Sequence, residues 1–163
     1  MNTKYEVSGT LTAEESKWAI DTAAARRFES QSHGRKNSHG MPPKYDTVEN
    51  DNQGAKAELF AANVIGIEWG ATVNSFKGAD LGSNIQVKSS KNPNSCLIFR
   101  CDDNPKHNYV LVTCAGDVFT IVGWIPGVEA KKDCWYTNAQ CPSRPKQYFV
   151  PQSALLDIKT IPH

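Results

Sequence analysis

Apolar positions recur at helical spacing in the first part of the chain and at strand spacing beyond it. Leu11-Thr12-Ala13-Glu14-Glu15 has the form of a helix start. Thr12 is placed to accept backbone N–H bonds, and Glu15 stands three residues on, as a capping box requires. The spacing predicts a helix to about Ser30, with Trp18, Ala19, Thr22, Ala23, Ala25 and Arg26 as a thin, alanine-rich packing stripe. A second helix is predicted over Gln53 to Gly66, where Ala57, Phe60, Ala61 and Val64 share a face and Gly66 is a suitable stop.

Strand patterns follow. Glu68 to Val73, Gly78 to Leu81 and Ile85 to Ser90 are expected as three short strands separated by turn residues. Asn108 to Cys114 and Val118 to Ile125 are the most strongly β-forming runs, and Ala115-Gly116-Asp117 between them predicts a hairpin. Pro126 to Lys132 reads as a short helix, Cys134 to Lys146 as irregular, Gln147 to Val150 as a strand and Pro151 to Asp157 as a turn or brief helix. The order implies an α/β or α+β domain with a central mixed sheet flanked by helices.

The segment from Gln31 to Asn52 is rich in Gly, Ser, Asn, His, Pro and charge, so it is expected as a flexible basic loop. A chain of 163 residues fits one domain. With 39% hydrophobic and 21% charged residues, no bilayer-length apolar run and no signal-peptide pattern, the expectation is a soluble cytoplasmic protein without a membrane partner. A net charge of +1 gives no global attraction for nucleic acid, so any such contact must come from local basic clusters. Five cysteines without a secretion signal suggest reduced thiols. Cys96, Cys101, Cys134 and Cys141 would supply four zinc thiolates only if their loops met, and their spacings miss the usual knuckle.

The densest chemistry lies at Gly78-Ala79-Asp80 and Gln86-Val87-Lys88. Alternation along a strand puts Gln86 and Lys88 on one face, and Asp80 at a neighbouring strand end would reach the same point. The Val87 carbonyl adds a further oxygen. Oxygen-only ligation selects magnesium or manganese, and a fixed ammonium beside such a cation suits phosphodiester hydrolysis. Asp102-Asp103 is a second possible metal position, with a solvated turn as the plainer expectation. The four histidines have no metal spacing, and neither a nucleophile elbow nor a phosphate-binding Gly-rich loop is found.

Gly54-Ala55-Lys56-Ala57-Glu58, Gly78-Ala79-Asp80, Gln86-Val87-Lys88 and Phe149-Val150-Pro151-Gln152-Ser153, in that order, resemble the PD-(D/E)XK nuclease superfamily. The resemblance covers roughly residues 53–156. It implies a restriction-endonuclease-like αβββαβ core, with residues 1–30 as an added N-terminal helix. It further implies Asp80 as principal metal ligand, Gln86 as second ligand, Val87 as a carbonyl ligand, Lys88 as catalytic lysine and Glu58 as a helix carboxylate acting directly or through water. Gln86 stands where most members carry an acid, so one negative charge is missing and the metal should be held more weakly.

The expected activity is that of a magnesium- or manganese-dependent deoxyribonuclease, an endonuclease of phage or junction-resolving type. Arg26, Arg27, Arg35, Lys36, Lys91 and Arg100 are the candidate contacts to the DNA backbone. Trp69, Trp124 and Trp135 are read as core or interface residues. A homodimer is plausible, through the first helix or the Val118 to Ile125 strand. The alternatives are a non-catalytic nucleic-acid-binding or assembly protein that keeps the nuclease fold, and a cysteine-stapled interaction module.

Overall fold

The computed structural model describes residues 6–32, 48–71 and 79–163. After a short strand β1 (Val7–Gly9) the chain enters helix α1 (Ala13–Ser32) through the capping box that the sequence predicts. Thr12 N–H donates to Glu15 Oε1 at 2.9 Å, and Glu15 N–H donates to Thr12 Oγ1 at 3.1 Å. Ala19, Thr22 and Ala23 are buried, whereas Trp18 and Ala25 of the predicted stripe are exposed. Helix α2 (Val48–Ile65) begins five residues before the predicted start, so Gly54 lies inside it and residues 48–52 are helical instead of loop. Ala57, Phe60 and Ala61 face inward as predicted, and Gly66, at φ 88°, ends the helix in the left-handed region. Residues 33–47, the part of the predicted basic loop that carries Arg35 and Lys36, lie outside the described residues.

Two expected strands are not found among the described residues. Residues 68–71 run without strand pairing, and residues 72–78 lie outside the described segments. At the second position only Leu81 pairs, bridging back to Ile85, because the intervening residues close a tight turn too short to extend. The third strand is present as β2 (Ile85–Ser90). It is followed by β3 (Leu97–Phe99), β4 (Asn108–Ala115), β5 (Val118–Pro126), α3 (Gly127–Ala130), β6 (Tyr136–Thr137) and β7 (Gln147–Val150). Short 3-10 turns cover Asp133–Trp135, Gln152–Ala154 and Ile158–Thr160.

The first sheet has the order β1-β5-β4-β2, with β2 parallel to β4 and the other pairs antiparallel. It is therefore mixed, as expected. The hairpin of β4 and β5 closes on Gly116 at φ 61°, the conformation of the first residue of a type II′ loop. A bulge lets Leu111 pair Gly123 while Val112 pairs Ile121. That extra residue changes the parity of β5, so Ile121 and Trp124 face one side, Val122 and Ile125 the other.

On one side α1 and α2 cover Val110, Val112, Phe119, Ile121 and Trp124. On the other a small antiparallel sheet, β3-β7-β6, covers Tyr109, Leu111, Val122 and Ile125. The molecule is mixed α/β, with a mixed sheet flanked by helices. Strand β7 belongs to the second sheet and does not extend the first. Strand β5 has a neighbour on each edge, so it is not available for the edge pairing that a dimer through this strand would need. Trp69 and Trp124 are core residues, as expected. Among the described residues no helix is long and apolar enough to cross a membrane.

Candidate functional site

Strand β2 is an edge strand of the mixed sheet, and its position decides what the site contains. Its parallel register sets Gln86 beside Tyr109 and Lys88 beside Leu111, so side-chain alternation sends both polar groups to the face that carries the small sheet. Among the described residues the outer edge of β2 has no strand partner, leaving the Val87 N–H in need of an acceptor. Asp80 provides it. The turn closed by Leu81 and Ile85 (3.0 and 3.1 Å) folds the preceding residue back along the strand, and Asp80 Oδ2 accepts Val87 N–H at 2.8 Å. The Val87 carbonyl points to the same edge as its N–H, hence beside that carboxylate. Helix α2 brings Glu58 from the opposite side. Glu58, Asp80, Gln86, Val87 and Lys88 all line one open cleft of about 1080 Å³.

The two carboxylates sit in different electrostatic settings. Glu58 is buried, and its oxygens accept from Arg26 Nη1 and Nη2, each at 3.0 Å, while Trp69 Nε1 donates to Oε2 at 3.0 Å. Arg26 also lies 5.8 Å from the centre of the Trp69 ring, whose edge meets Trp18. Asp80 is held chiefly by a backbone amide. Burial, and then the negative charge of Glu58, push its pKa up to about 7, against the opposing pull of the Val87 N–H, Arg26 and Lys88.

The wall from the β3–β4 connection supplies groups that sequence reasoning left aside. Lys88 Nζ donates to Asp103 Oδ2 at 2.7 Å, and the same oxygen accepts Arg100 N–H at 2.8 Å. Asp103 is thus an ion-pair partner inside the cleft and not the solvated turn residue expected. Lys88 also stands 5.5 Å from the centre of the Tyr109 ring. The phenol of Tyr109 donates to the Asn104 carbonyl, and its pKa is raised by burial and by the charge of Asp103. Gln86 Nε2 lies 3.1 Å from His107 Nδ1, and Asn104 Nδ2 lies 3.4 Å from His107 Nε2. Asn104 is itself oriented, since its Oδ1 accepts Lys106 N–H at 2.9 Å. The ion pair of Lys88 with an acid fifteen residues away had no local signal; the polar run Asp102-Asp103-Asn104 before a strand was the only hint.

The groups that meet here offer carboxylate, amide and carbonyl oxygens, the ligand types that a hard divalent cation takes. Asp80 and Glu58 are close enough to raise a carboxyl pKa by mutual repulsion, which a cation would relieve. The Gln86 amide lies against His107 and also lines the cleft beside Asp80. Asp80, Gln86 and the Val87 carbonyl are the residues that would hold such an ion. Glu58, already bidentate to Arg26, is better placed to act through water. Among the described residues no group of three or more His, Cys, Asp or Glu side chains is gathered for a metal. The same holds for a cysteine cluster: all five thiols are free, Cys114 is buried with its pKa raised to about 11, and Cys101, Cys134 and Cys141 are exposed.

The predicted backbone-binding residues divide. Arg26 is engaged with Glu58 and faces inward, which opposes a role on DNA. Arg27 pairs with Asp51 at 3.5 Å, and Lys91 pairs with Glu49 at 2.9 Å on the exposed surface. Arg100 lines the cleft itself. Arg35 and Lys36 lie outside the described residues. In comparison with known proteins, the chain matches no family model, and neither the curated proteins nor the solved structures give a significant match.

Proposed function

We propose that this chain is a metal-dependent deoxyribonuclease that hydrolyses DNA phosphodiester bonds, an endonuclease of the PD-(D/E)XK kind in which Gln86 replaces the second acid. The observation that carries the reading is the convergence of Asp80, Gln86, Lys88 and Glu58 on one cleft, from helix α2 and from strand β2 with the turn that precedes it. A magnesium or manganese ion on the oxygens of Asp80, Gln86 and Val87 would supply Lewis acidity and a bound water acidic enough to act as a nucleophile near neutral pH.

The rest of the chemistry falls to the chain. The Lys88 ammonium has three donors, so it can keep Asp103 and still donate to a phosphate oxygen as negative charge develops there. Asp103 fixes the direction of that ammonium. Arg26 offsets the charge of Glu58, which lowers the repulsion that a phosphodiester meets on entering. His107 stands between the amides of Gln86 and Asn104 and confines the Gln86 side chain to the cleft wall.

A second reading, a nucleic-acid-binding protein without hydrolysis, is favoured by the two internal ion pairs, Arg26 with Glu58 and Lys88 with Asp103, which already satisfy three of the cleft's charged groups and one arginine beside it. The deciding experiment incubates supercoiled, linear and four-way-junction DNA with the protein in magnesium, manganese or chelator, next to Asp80→Ala and Lys88→Ala. Cation-dependent cleavage by the wild type alone supports the nuclease. Retained DNA binding with no cleavage under any condition supports the second reading, and equal nicking by all three proteins removes the first.

A further inference from the structure

A second, smaller cavity opens next to the cleft. After β6 the chain folds back over the small sheet through two turns, in which Cys141 N–H donates to the Asn138 carbonyl and Arg144 N–H to the Cys141 carbonyl, each at 3.0 Å. The Asn138 side chain ties the loop together by donating to the carbonyls of Pro142 and Arg144 at 3.3 and 3.1 Å. The loop closes a cavity of about 40 Å³ over Ile98 and Phe149, which are cross-strand partners of β3 and β7. Arg100 and Arg144 stand on its wall. Ile98 and Arg100 line the main cleft as well, so the two spaces adjoin.

On the same measure of volume a water needs about 10–15 Å³, so the cavity has the size of a few waters or one tetrahedral oxyanion. Its chemistry points the same way. Guanidinium groups present forked donors matched to phosphate oxygens, and the apolar floor offers nothing that would favour a cation. The two arginines also feel each other: Arg100 has its pKa lowered by burial and then by the charge of Arg144, with Asp103 and Asp102 opposing. An anion between them relieves that repulsion. The loop hydrogen bonds hold the backbone of Arg144 in place before any ligand arrives, which reduces the ordering cost of binding.

We propose that the Arg100–Arg144 pocket is a phosphate subsite, which takes one phosphate of a nucleic-acid strand lying along the cleft. The identity of the strand rests on the nuclease reading; the anion chemistry of the pocket does not. Arg144 is distant from Asp80 along the chain, and it brings the loop after β6 into the site.

The test uses the full chain in chelator, so that no cleavage occurs, and measures binding of a fluorescent single-stranded 12-mer by anisotropy from low to moderate salt. Inorganic phosphate is titrated as competitor. Arg144→Gln is expected to weaken oligonucleotide binding about tenfold at low salt and to flatten the log–log salt slope by about 0.7, the share of one phosphate contact on a single strand. Arg144→Lys keeps the charge and restores most of the slope, which separates loss of charge from damage to the loop. Phosphate is expected to compete with the wild type and weakly with Arg144→Gln. Equal affinity and equal slope in wild type and Arg144→Gln overturn the subsite. Binding of inorganic phosphate with no binding of the oligonucleotide overturns its assignment to a strand. A protein that shows the Arg144 effect but never cleaves keeps this subsite and loses the nuclease reading; one that cleaves without the Arg144 effect does the reverse.

Discussion

Two walls of the same cleft handle a buried carboxylate in opposite ways. On the helix wall, Glu58 is neutralised by a bidentate guanidinium and an indole N–H, and that network also ties α1 to α2. At the edge of β2, Asp80 is held by one backbone amide and carries a proton until about pH 7. The difference separates a structural acid from one whose charge is poorly compensated within the chain. A carboxylate in the second condition is the one that a cation stabilises most.

Removing each partner is the direct way to break that contrast. The largest effect is expected from Asp80→Ala, which should lower cation-dependent DNA cleavage at least about a thousandfold, the loss of several kcal/mol of charge stabilisation, with DNA binding retained. Plasmid nicking with parallel binding measurements reads both. If cleavage persists, Asp80 is not the ligand that matters.

The pH dependence of stability follows with its own sign. The pKa of Asp80 lies above the ordinary carboxyl value of 3.8, so the folded, cation-free chain holds a proton that the unfolded chain gives up. This group's contribution to stability is therefore fullest below about pH 4 and is lost as pH rises through about 7. Asp80→Asn should remove that slope and stabilise the cation-free protein at pH 8 by an amount on the order of a few kcal/mol. Urea titrations at pH 5 and pH 8 in chelator check it, and added magnesium should stabilise the wild type but not the variant.

Arg26→Ala tests the other wall. It leaves Glu58 buried without its cation and should cost about 2–3 kcal/mol of folding stability. It should also move the midpoint of the Asp80 titration upward, because Arg26 pulls that pKa down. A carboxyl chemical-shift titration distinguishes this from simple destabilisation. The smallest expected effect is that of Thr12→Ala, which removes one half of the capping box far from the cleft and should cost about 1 kcal/mol without altering the Asp80 titration.

How much of this was legible in the chain depends on the range of the interaction. The capping box of α1, the buried face of α2, strand β2 and the β4–β5 hairpin were all readable, since each is fixed by residues within a few positions of one another. No strand extends through residues 79–81 because the turn between Leu81 and Ile85 serves a tight reversal that delivers Asp80 to β2. The three-residue strands β1 and β3 were missed because each is too short to show a period and exists only by pairing with a distant partner.

The order Glu58, Asp80, Gln86, Lys88 and the polar alternation along β2 were set by the sequence alone, because a strand's pleat dictates which neighbours share a face. Their surroundings were decided by the tertiary structure: Arg26 on Glu58, Asp103 on Lys88, His107 on Gln86 and Arg144 near Arg100. Desolvation and charge pairing act between groups brought together only when the sheet, helices and loops have packed, and no local pattern encodes which opposite charge a buried group will meet.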